Sequence, residues 1–386
     1  MVRIVHFLTD EKFSDFIIDL FNKAPDVENF YVTNKTSYVE NQFKIDCVER
    51  IELKEINGFL DQKKPDLIIF HSLFPQNLIV LNELKLDIKV CWFSWGGDIN
   101  LSYNSIFNEG LEAVTFEKYY NNSKFKLIKH KFWNFFKSSF PYLYSKYYHF
   151  RTKEDWPNLI LKKNLHKISF VNTVTINERE LFRKSNFNGE FVHIPIGTIE
   201  YLMKDVNLNL QNSGDLQVFV GQSAYSSNNQ LDVFKRLSQM SYDGKIYCPL
   251  SYGDLNYSKY VENFGNDLFK ERFIPLKDYI SKSTYFEVIG SCSFYINNSI
   301  IQQGLGNIIV AMYLGIPVLL NEKGYVYKYL CDLGLFCYTV QSDLQKVLNG
   351  IPNDFDVQSM CNKKIIEDVY SNISVQKRIK LLIDLL

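Results

Sequence analysis

The sequence predicts two doubly wound α/β domains in one chain. Three observations lead there. Short apolar runs of strand length alternate with amphipathic stretches along most of the 386 residues. The alternation stops in a polar, aperiodic stretch at 207–215 and then starts again. A chain of this length also exceeds one ordinary core. The expected division is an N-terminal domain over 1–205, a second domain over 215–370, and a C-terminal helix over 371–386 that crosses back to the first.

In the first half, Val2 to Leu8 reads as a buried parallel strand, and a helix follows from about Glu11 until Pro25 stops it. Glu28 to Val32 and Asp46 to Ile51 are the next strands, and Asp66 to His71 (DLIIFH) is a fourth. A helix from Gln76 to Leu84 leads into Ile88 to Trp95 (IKVCWFSW), the strongest strand of this half. Glu154 to Lys167, Ile168 to Asn172, Asn177 to Lys184 and Phe191 to Pro195 continue the alternation. Ligands of such sheets bind at the carboxyl ends of the strands. His6, His71 and the WGGD turn with Gly97 and Asp98 fall there, as candidates for contact with an acceptor or cleft. A carboxylate at Asp98 suits a general base for an acceptor hydroxyl, and it equally suits a helix cap.

The second half opens on LQVFVG at Leu216 to Gly221, followed by a serine- and asparagine-rich loop and an amphipathic helix. Lys245 to Leu250 and Glu271 to Leu276 are further strands, with Tyr279 to Ile289 as a helix. The organising stretch is CSFYINNSIIQQGLGNIIVAMYLGIPVLLN, from Cys292 to Asn321. It reads as strand, uncharged polar loop, glycine-opened helix and strand, one βαβ unit. Its loop carries Asn297, Asn298, Gln302 and Gln303, with Gly304 and Gly306 at the helix start. Free N–H groups and the positive helix end suit a phosphate, although a glycine turn alone is weak evidence. Glu322 to Leu333, Leu335 to Val340 and three terminal helices complete the pattern.

Composition narrows the partners. Lys plus Arg and Asp plus Glu are both 43, so no global field attracts nucleic acid. The seven cysteines show no metal-ligand spacing, so no metal site is expected. With no signal-peptide pattern and no apolar run of membrane-span length, the expected location is cytoplasmic. Segment 118–153 is different: it holds nine Lys or Arg, no Asp or Glu, and a dense set of Phe, Trp and Tyr. Aromatics with lysines suit the membrane interface, which implies a peripheral protein on the inner face of the cytoplasmic membrane. A solvated basic helical pair is the plainer reading.

At three places the motifs become specific. The runs VGQSAYSSNNQL, KIYCPLSYGD and QQGLGNIIVAMYLGIPVLLN resemble the C-terminal domain of glycosyltransferase family 56. That family holds TDP-N-acetylfucosamine:lipid II N-acetylfucosaminyltransferases (4-alpha-L-fucosyltransferase-like). Its pattern is a VGNSGDxSN-like loop, a PxxYxxN-like stretch, and QQGIGT followed by GIPxxLN. Gly221, Ser223, Ser227 and Asn228 match the first; Pro249, Tyr252 and Asn256 match the second. Gln302, Gln303, Gly304, Gly306, Gly315, Pro317 and Asn321 match the third, and WGGD is similar to a WGAD-like turn. Gln222, Ala224 and Asn307 depart from the family's Asn, Gly and Thr.

The resemblance implies a GT-B architecture, two Rossmann-like domains facing a central cleft, covering residues 215–335 well and the first half thinly. It implies transfer of a 6-deoxy or N-acetylamino sugar such as fucose or N-acetylfucosamine. The donor is a TDP-, GDP- or UDP-linked sugar as substrate, with no cofactor and no metal. The acceptor is a saccharide on undecaprenyl diphosphate, in bacterial surface polysaccharide synthesis such as O-antigen or enterobacterial common antigen. Gly221, Ser223, Ser227, Asn228, Tyr252, Gln302, Gln303, Gly304, Gly306, Asn307 and Asn321 are then donor-binding, with Gln302, Gln303 and Asn321 as candidates for sugar hydroxyls and Lys235, Arg236 or Arg272 as candidates to assist the diphosphate. Two other readings stay open: a sugar-nucleotide epimerase of the same architecture, and a non-catalytic nucleotide-sugar or membrane-binding protein.

Overall fold

The computed structural model describes residues 1–9, 11–34, 45–85, 87–99, 110–120, 132–133, 135–137, 139–152, 155–182, 187–207 and 216–386. The linker expected over 207–215 and most of 118–131 lie outside these residues apart from their first positions. Contacts divide the chain into two units: Met1–Asn104, Phe132–Ile196 and Asn372–Leu386 form one, and Ser105–Lys131 with Gly197–Ser371 form the other. Residues 110–120, between two strands of the first half in sequence, thus group with the second unit. The helix Asn372–Ile383 groups with the first, where Gln376 Nε2 donates to the Leu20 carbonyl at 2.7 Å.

Among the described residues the first unit has seven strands: β1 (Val2–Phe7), β2 (Val27–Asn34), β3 (Val48–Ile51), β4 (Leu67–His71), β5 (Lys89–Phe93), β6 (Phe170–Asn172) and β7 (Glu190–Val192). All pair in parallel in the order β3-β2-β1-β4-β5-β6-β7. β4 is buried on both faces, which is why it reads as the continuous run LIIFH and not as an alternation. Helices Glu11–Asn22, Ile56–Lys63, Pro75–Glu83 and Pro157–Asn164 cover the sheet. Its core joins Val5, Phe7, Ile68, Phe70, Trp92, Leu161 and Phe182.

The second unit carries β8 (Gln217–Val220), β9 (Lys245–Pro249), β10 (Phe273–Leu276), β11 (Phe294–Asn297), β12 (Val318–Leu320) and β13 (Tyr338–Thr339), parallel in the order β10-β9-β8-β11-β12-β13. Each sheet reverses its winding once, between β1 and β4 in the first unit and between β8 and β11 in the second. At such a switch point the flanking loops splay apart and leave a crevice at the carboxyl ends of the strands. The Gly221–Asn229 loop and the Asn297–Gly304 loop lie at the second of these points; at the first, His71 ends β4 and His6 is the next-to-last residue of β1.

Candidate functional site

In the second unit the loop after β11 is held open by its own amides. Asn297 Oδ1 accepts from Ser299 N at 3.1 Å, and Asn297 Nδ2 reaches the Gln303 carbonyl at 3.4 Å. Gly304 then sits at φ +71°, the left-handed region that side chains avoid, and a Cβ there would lie 2.6 Å from Asn297 Nδ2. The chain enters the helix Leu305–Tyr313 with no side-chain cap, and the first intrahelical donor is Ile308 N, bonded to the Gly304 carbonyl at 3.0 Å. The N–H groups of Leu305, Gly306 and Asn307 therefore have no partner within the helix. A Cβ at Gly306 would meet nothing within 4 Å, so there is open space beside the first turn of the helix.

The loop after β8 faces the same place. Ser227 Oγ and Gln303 Nε2 are 2.8 Å apart, and Asn228 Nδ2 donates to Gln303 Oε1 at 3.1 Å and to Ser223 Oγ at 3.1 Å. Asn228 Oδ1 accepts from Gln222 N at 3.1 Å. The four predicted residues Ser223, Ser227, Asn228 and Gln303 thus form one network across the switch point, beside the open helix end. Gly221, at φ +78°, supplies the turn into it. Tyr252 stands half exposed, its hydroxyl 3.4 Å from Gln222 Oε1 and its ring edge-on to the equally exposed Tyr225. Gln302 lies at the same loop, its amide without a hydrogen bond among the described residues. The arrangement offers backbone donors, hydroxyls, amides and a helix dipole to an anion.

Three donor-side expectations require correction. Asn307 Nδ2 donates to the Tyr285 hydroxyl at 2.9 Å, so its side chain braces the helix against the partly buried Tyr285 and is not aimed at the open helix end. Asn321 is fully buried: Nδ2 donates to Glu112 Oε1 and to Asn298 Oδ1, both at 2.9 Å, and Oδ1 accepts from Lys323 N at 3.0 Å. Its amide is consumed inside the protein and leaves nothing for a sugar hydroxyl. Arg272 lies at the amino end of β10, where it donates to the Tyr242 carbonyl at 2.6 Å and covers Phe269, at the wrong end of the sheet for a diphosphate. Lys235 and Arg236 project from the helix Gln230–Gln239, past its first turn.

Asp98 is corrected as well. It is 0 % exposed, and its carboxylate accepts four hydrogen bonds: from Leu73 N at 2.9 Å and Trp92 Nε1 at 2.7 Å on Oδ2, from Trp95 N at 2.8 Å and Ile99 N at 3.1 Å on Oδ1. Burial pushes the carboxyl above its ordinary range, and these four donors oppose the shift. A carboxylate so occupied ties β4, β5 and the WGGD turn together and has no oxygen facing an acceptor. Gly97 lies in the turn it holds, against Phe74.

His6 and His71 meet under the first helix. Asn29 Nδ2 donates to the Phe21 carbonyl at 3.0 Å, so Asn29 Oδ1 faces His6 Nε2 at 2.9 Å, which must carry the proton. His6 Nδ1 then accepts from His71 Nε2–H at 3.0 Å, and His71 Nδ1 is left as a buried lone pair without a partner. Desolvation lowers His6 to about 4 and His71 well below its ordinary range, so both imidazoles are neutral at pH 7. Phe21 and Tyr31 enclose the His6 ring. The pair is a packed element of the core at the β1/β4 switch point.

Sequence reasoning missed Glu112. Its carboxylate gathers Asn298, Asn321 and Gln341, residues 186 to 229 positions away in the chain. No local pattern signals a contact at that distance.

Within the basic aromatic segment, the helix Pro141–Thr152 turns Tyr144 inward onto Trp156 and leaves Tyr142 (69 %) and Phe150 (73 %) exposed. Phe135 and Leu143 are exposed too, and Lys146 and Arg151 stand exposed on the same helix. Among the described residues no helix is long and apolar enough to cross a membrane.

Comparison with known proteins bears on the fold and on the stretch that carries these loops. The family model described as 4-alpha-L-fucosyltransferase, glycosyl transferase group 56, matches residues 172–348, which span the whole network above. Sucrose-phosphate synthase from Thermosynechococcus elongatus superposes with a TM-score of 0.66 at 13 % identity, over 100 % of this chain and 99 % of its own. HepE from Anabaena, in complex with UDP-glucose, gives 0.64 at 11 % identity over 100 % of both chains. A protein from Listeria monocytogenes described as a UDP-N-acetylglucosamine 2-epimerase gives 0.54 at 13 % identity over 99 % and 95 %. No curated protein matches the chain. The fold is of the GT-B class, and the resemblance to group 56 holds over the matched residues.

Proposed function

We propose that this protein is a glycosyltransferase that moves a 6-deoxy or N-acetylamino sugar, fucose or N-acetylfucosamine being the type, from a nucleoside diphosphate to a lipid-linked saccharide. The observation that carries the reading is the uncapped helix Leu305–Tyr313, flanked by the Ser223–Ser227–Asn228–Gln303 network at the β8/β11 switch point. It falls inside the stretch matched by the fucosyltransferase family model, and the HepE neighbour holds UDP-glucose.

In this reading the diphosphate lies on the N–H groups of Leu305 and Gly306, with Ser227, Asn228 and Gln303 beside it. As the glycosidic bond breaks, negative charge grows on the leaving phosphate, and fixed donors stabilise it without reorganising. That supplies the charge stabilisation without a divalent ion. Gln302, with its free amide, and Tyr252 are the remaining donor contacts. Asp98 acts indirectly by fixing the turn that lines the acceptor unit.

The epimerase reading is kept by the Listeria neighbour. Incubating the protein with UDP-, TDP- and GDP-linked sugars, with and without undecaprenyl-diphosphate saccharides, separates the two. Nucleoside diphosphate released only when acceptor is present supports transfer. Isomerised sugar nucleotide with no acceptor requirement would overturn it.

The exposed face of 132–152 is proposed to hold the protein at an anionic bilayer, where rings sit at headgroup depth and the cations meet lipid charge. Burying two aromatic rings is worth several kcal/mol at most, so Tyr142→Ser with Phe150→Ser should weaken binding to phosphatidylglycerol vesicles about tenfold or more. Equal co-sedimentation of wild type and variant, or binding no better than to phosphatidylcholine alone, would sink the assignment.

A further inference from the structure

We infer that Glu112 is the residue through which the second unit reads a hydroxyl of the donor, an inference that rests on the nucleotide-sugar reading above. The segment bearing it is docked by specific bonds. Asn229 takes Glu112 N on Oδ1 at 2.8 Å and gives Nδ2 to the Gly110 carbonyl at 3.0 Å. Asp232 accepts from Val114 N at 2.8 Å, and from Thr115 N at 2.9 Å and Thr115 Oγ1 at 2.6 Å. Val114 and Tyr119 pack on the core of the unit.

This docking stands the Glu112 carboxylate over the carboxyl ends of three adjacent strands. Asn298 follows β11, Asn321 follows β12 and Gln341 follows β13. Oε1 is filled: it accepts from Asn321 Nδ2 and Gln341 Nε2, both at 2.9 Å. Among the described residues Oε2 has one long contact, 3.4 Å from Asn298 Nδ2. A carboxylate oxygen accepts about two hydrogen bonds, so Oε2 keeps acceptor capacity while the amides fix its direction. Asn298 and Asn321 are buried, whereas Glu112 is only partly so.

The same network reaches the phosphate loops, because Asn229 Nδ2 also donates to the Asn298 carbonyl at 3.0 Å. A negative oxygen repels a diphosphate and accepts from a hydroxyl, so its ligand is a polyol portion of the donor. Ribose and hexose both offer that chemistry. The role needs an acceptor-only group: a glutamine at 112 would set its own NH₂ against at least one of the three amide donors.

Calorimetric titration of wild type, Glu112→Gln and Glu112→Asp with UDP, 2′-deoxy-UDP and UDP-glucose tests this. If Glu112 reads the ribose, wild type favours UDP over 2′-deoxy-UDP by about tenfold and Glu112→Gln loses the preference, the size expected for one hydrogen bond to a charged group. If it reads the hexose, the UDP-glucose to UDP affinity ratio falls instead by a similar factor. Either result supports the inference and names the sugar. A purely structural role lowers all three affinities together, so unchanged ratios in both variants overturn it and leave the donor reading intact. If wild type binds none of the three, the same ratios are read with TDP or GDP and their sugar-linked forms; a wild type that binds no nucleoside diphosphate at all removes the donor reading and this inference together.

Discussion

Gln303→Glu should weaken donor binding about a hundredfold while leaving the fold at least as stable as before. Gln303 Oε1 already accepts from Asn228 Nδ2 at 3.1 Å and from Ser299 Oγ at 3.4 Å, and the Ser227 hydroxyl can turn to donate to a carboxylate. Every partner therefore survives the change. A negative charge beside the start of the helix Leu305–Tyr313 is favoured by its dipole, by about 0.3–1 kcal/mol. For a diphosphate on the same N–H groups the change is adverse: two unit charges about 5 Å apart at an effective dielectric of about 20 repel by about 3 kcal/mol. The expected outcome is a melting temperature equal to or above wild type and a nucleotide affinity lower by about a hundredfold. Affinity within about threefold of wild type would place the diphosphate elsewhere.

Asp98→Asn should do the reverse and act on the fold. The new NH₂ group must face two of the four N–H donors that the carboxylate now satisfies, in a site with no solvent. Leaving buried donors unsatisfied costs about 1–3 kcal/mol each, so a loss of about 3 kcal/mol is expected. For a unit of this size that corresponds to a melting temperature lower by about 6–12 °C. Differential scanning calorimetry reads it directly. Melting unchanged with turnover abolished would restore Asp98 as a base.

The outcome at these two residues shows what a linear reading captures. The strands were legible because both sheets are parallel and buried, so LIIFH and QVFV appear as unbroken apolar runs. The switch-point loop was legible because glycine at a left-handed turn and amides before a helix are local features, as at Gly304. Direction and occupancy of side chains were not. Asp98 and Asn321 stand at the ends of strands where ligands bind, yet both point into the protein and are saturated there. Their partners come from distant loops, and only three-dimensional packing reveals that they are full. Strand ends also shifted: β5 stops at Phe93 rather than Trp95, because Trp95 N bonds Asp98 and the backbone leaves the ladder. Residues 110–115 illustrate the same limit, since a segment between β5 and β6 in sequence docks on the second unit through Asn229 and Asp232.

The central claim is that a nucleoside diphosphate binds at the N-terminus of the helix Leu305–Tyr313. A thermal-shift series of wild type and Gln303→Glu against UDP, TDP, GDP and CMP, each with its sugar-linked form, tests it most directly. Ligand at about 100 times its dissociation constant adds about 2.7 kcal/mol of stability. The account predicts stabilisation of wild type by one nucleotide class and far less in Gln303→Glu. Equal stabilisation of both proteins, or of neither, would contradict it.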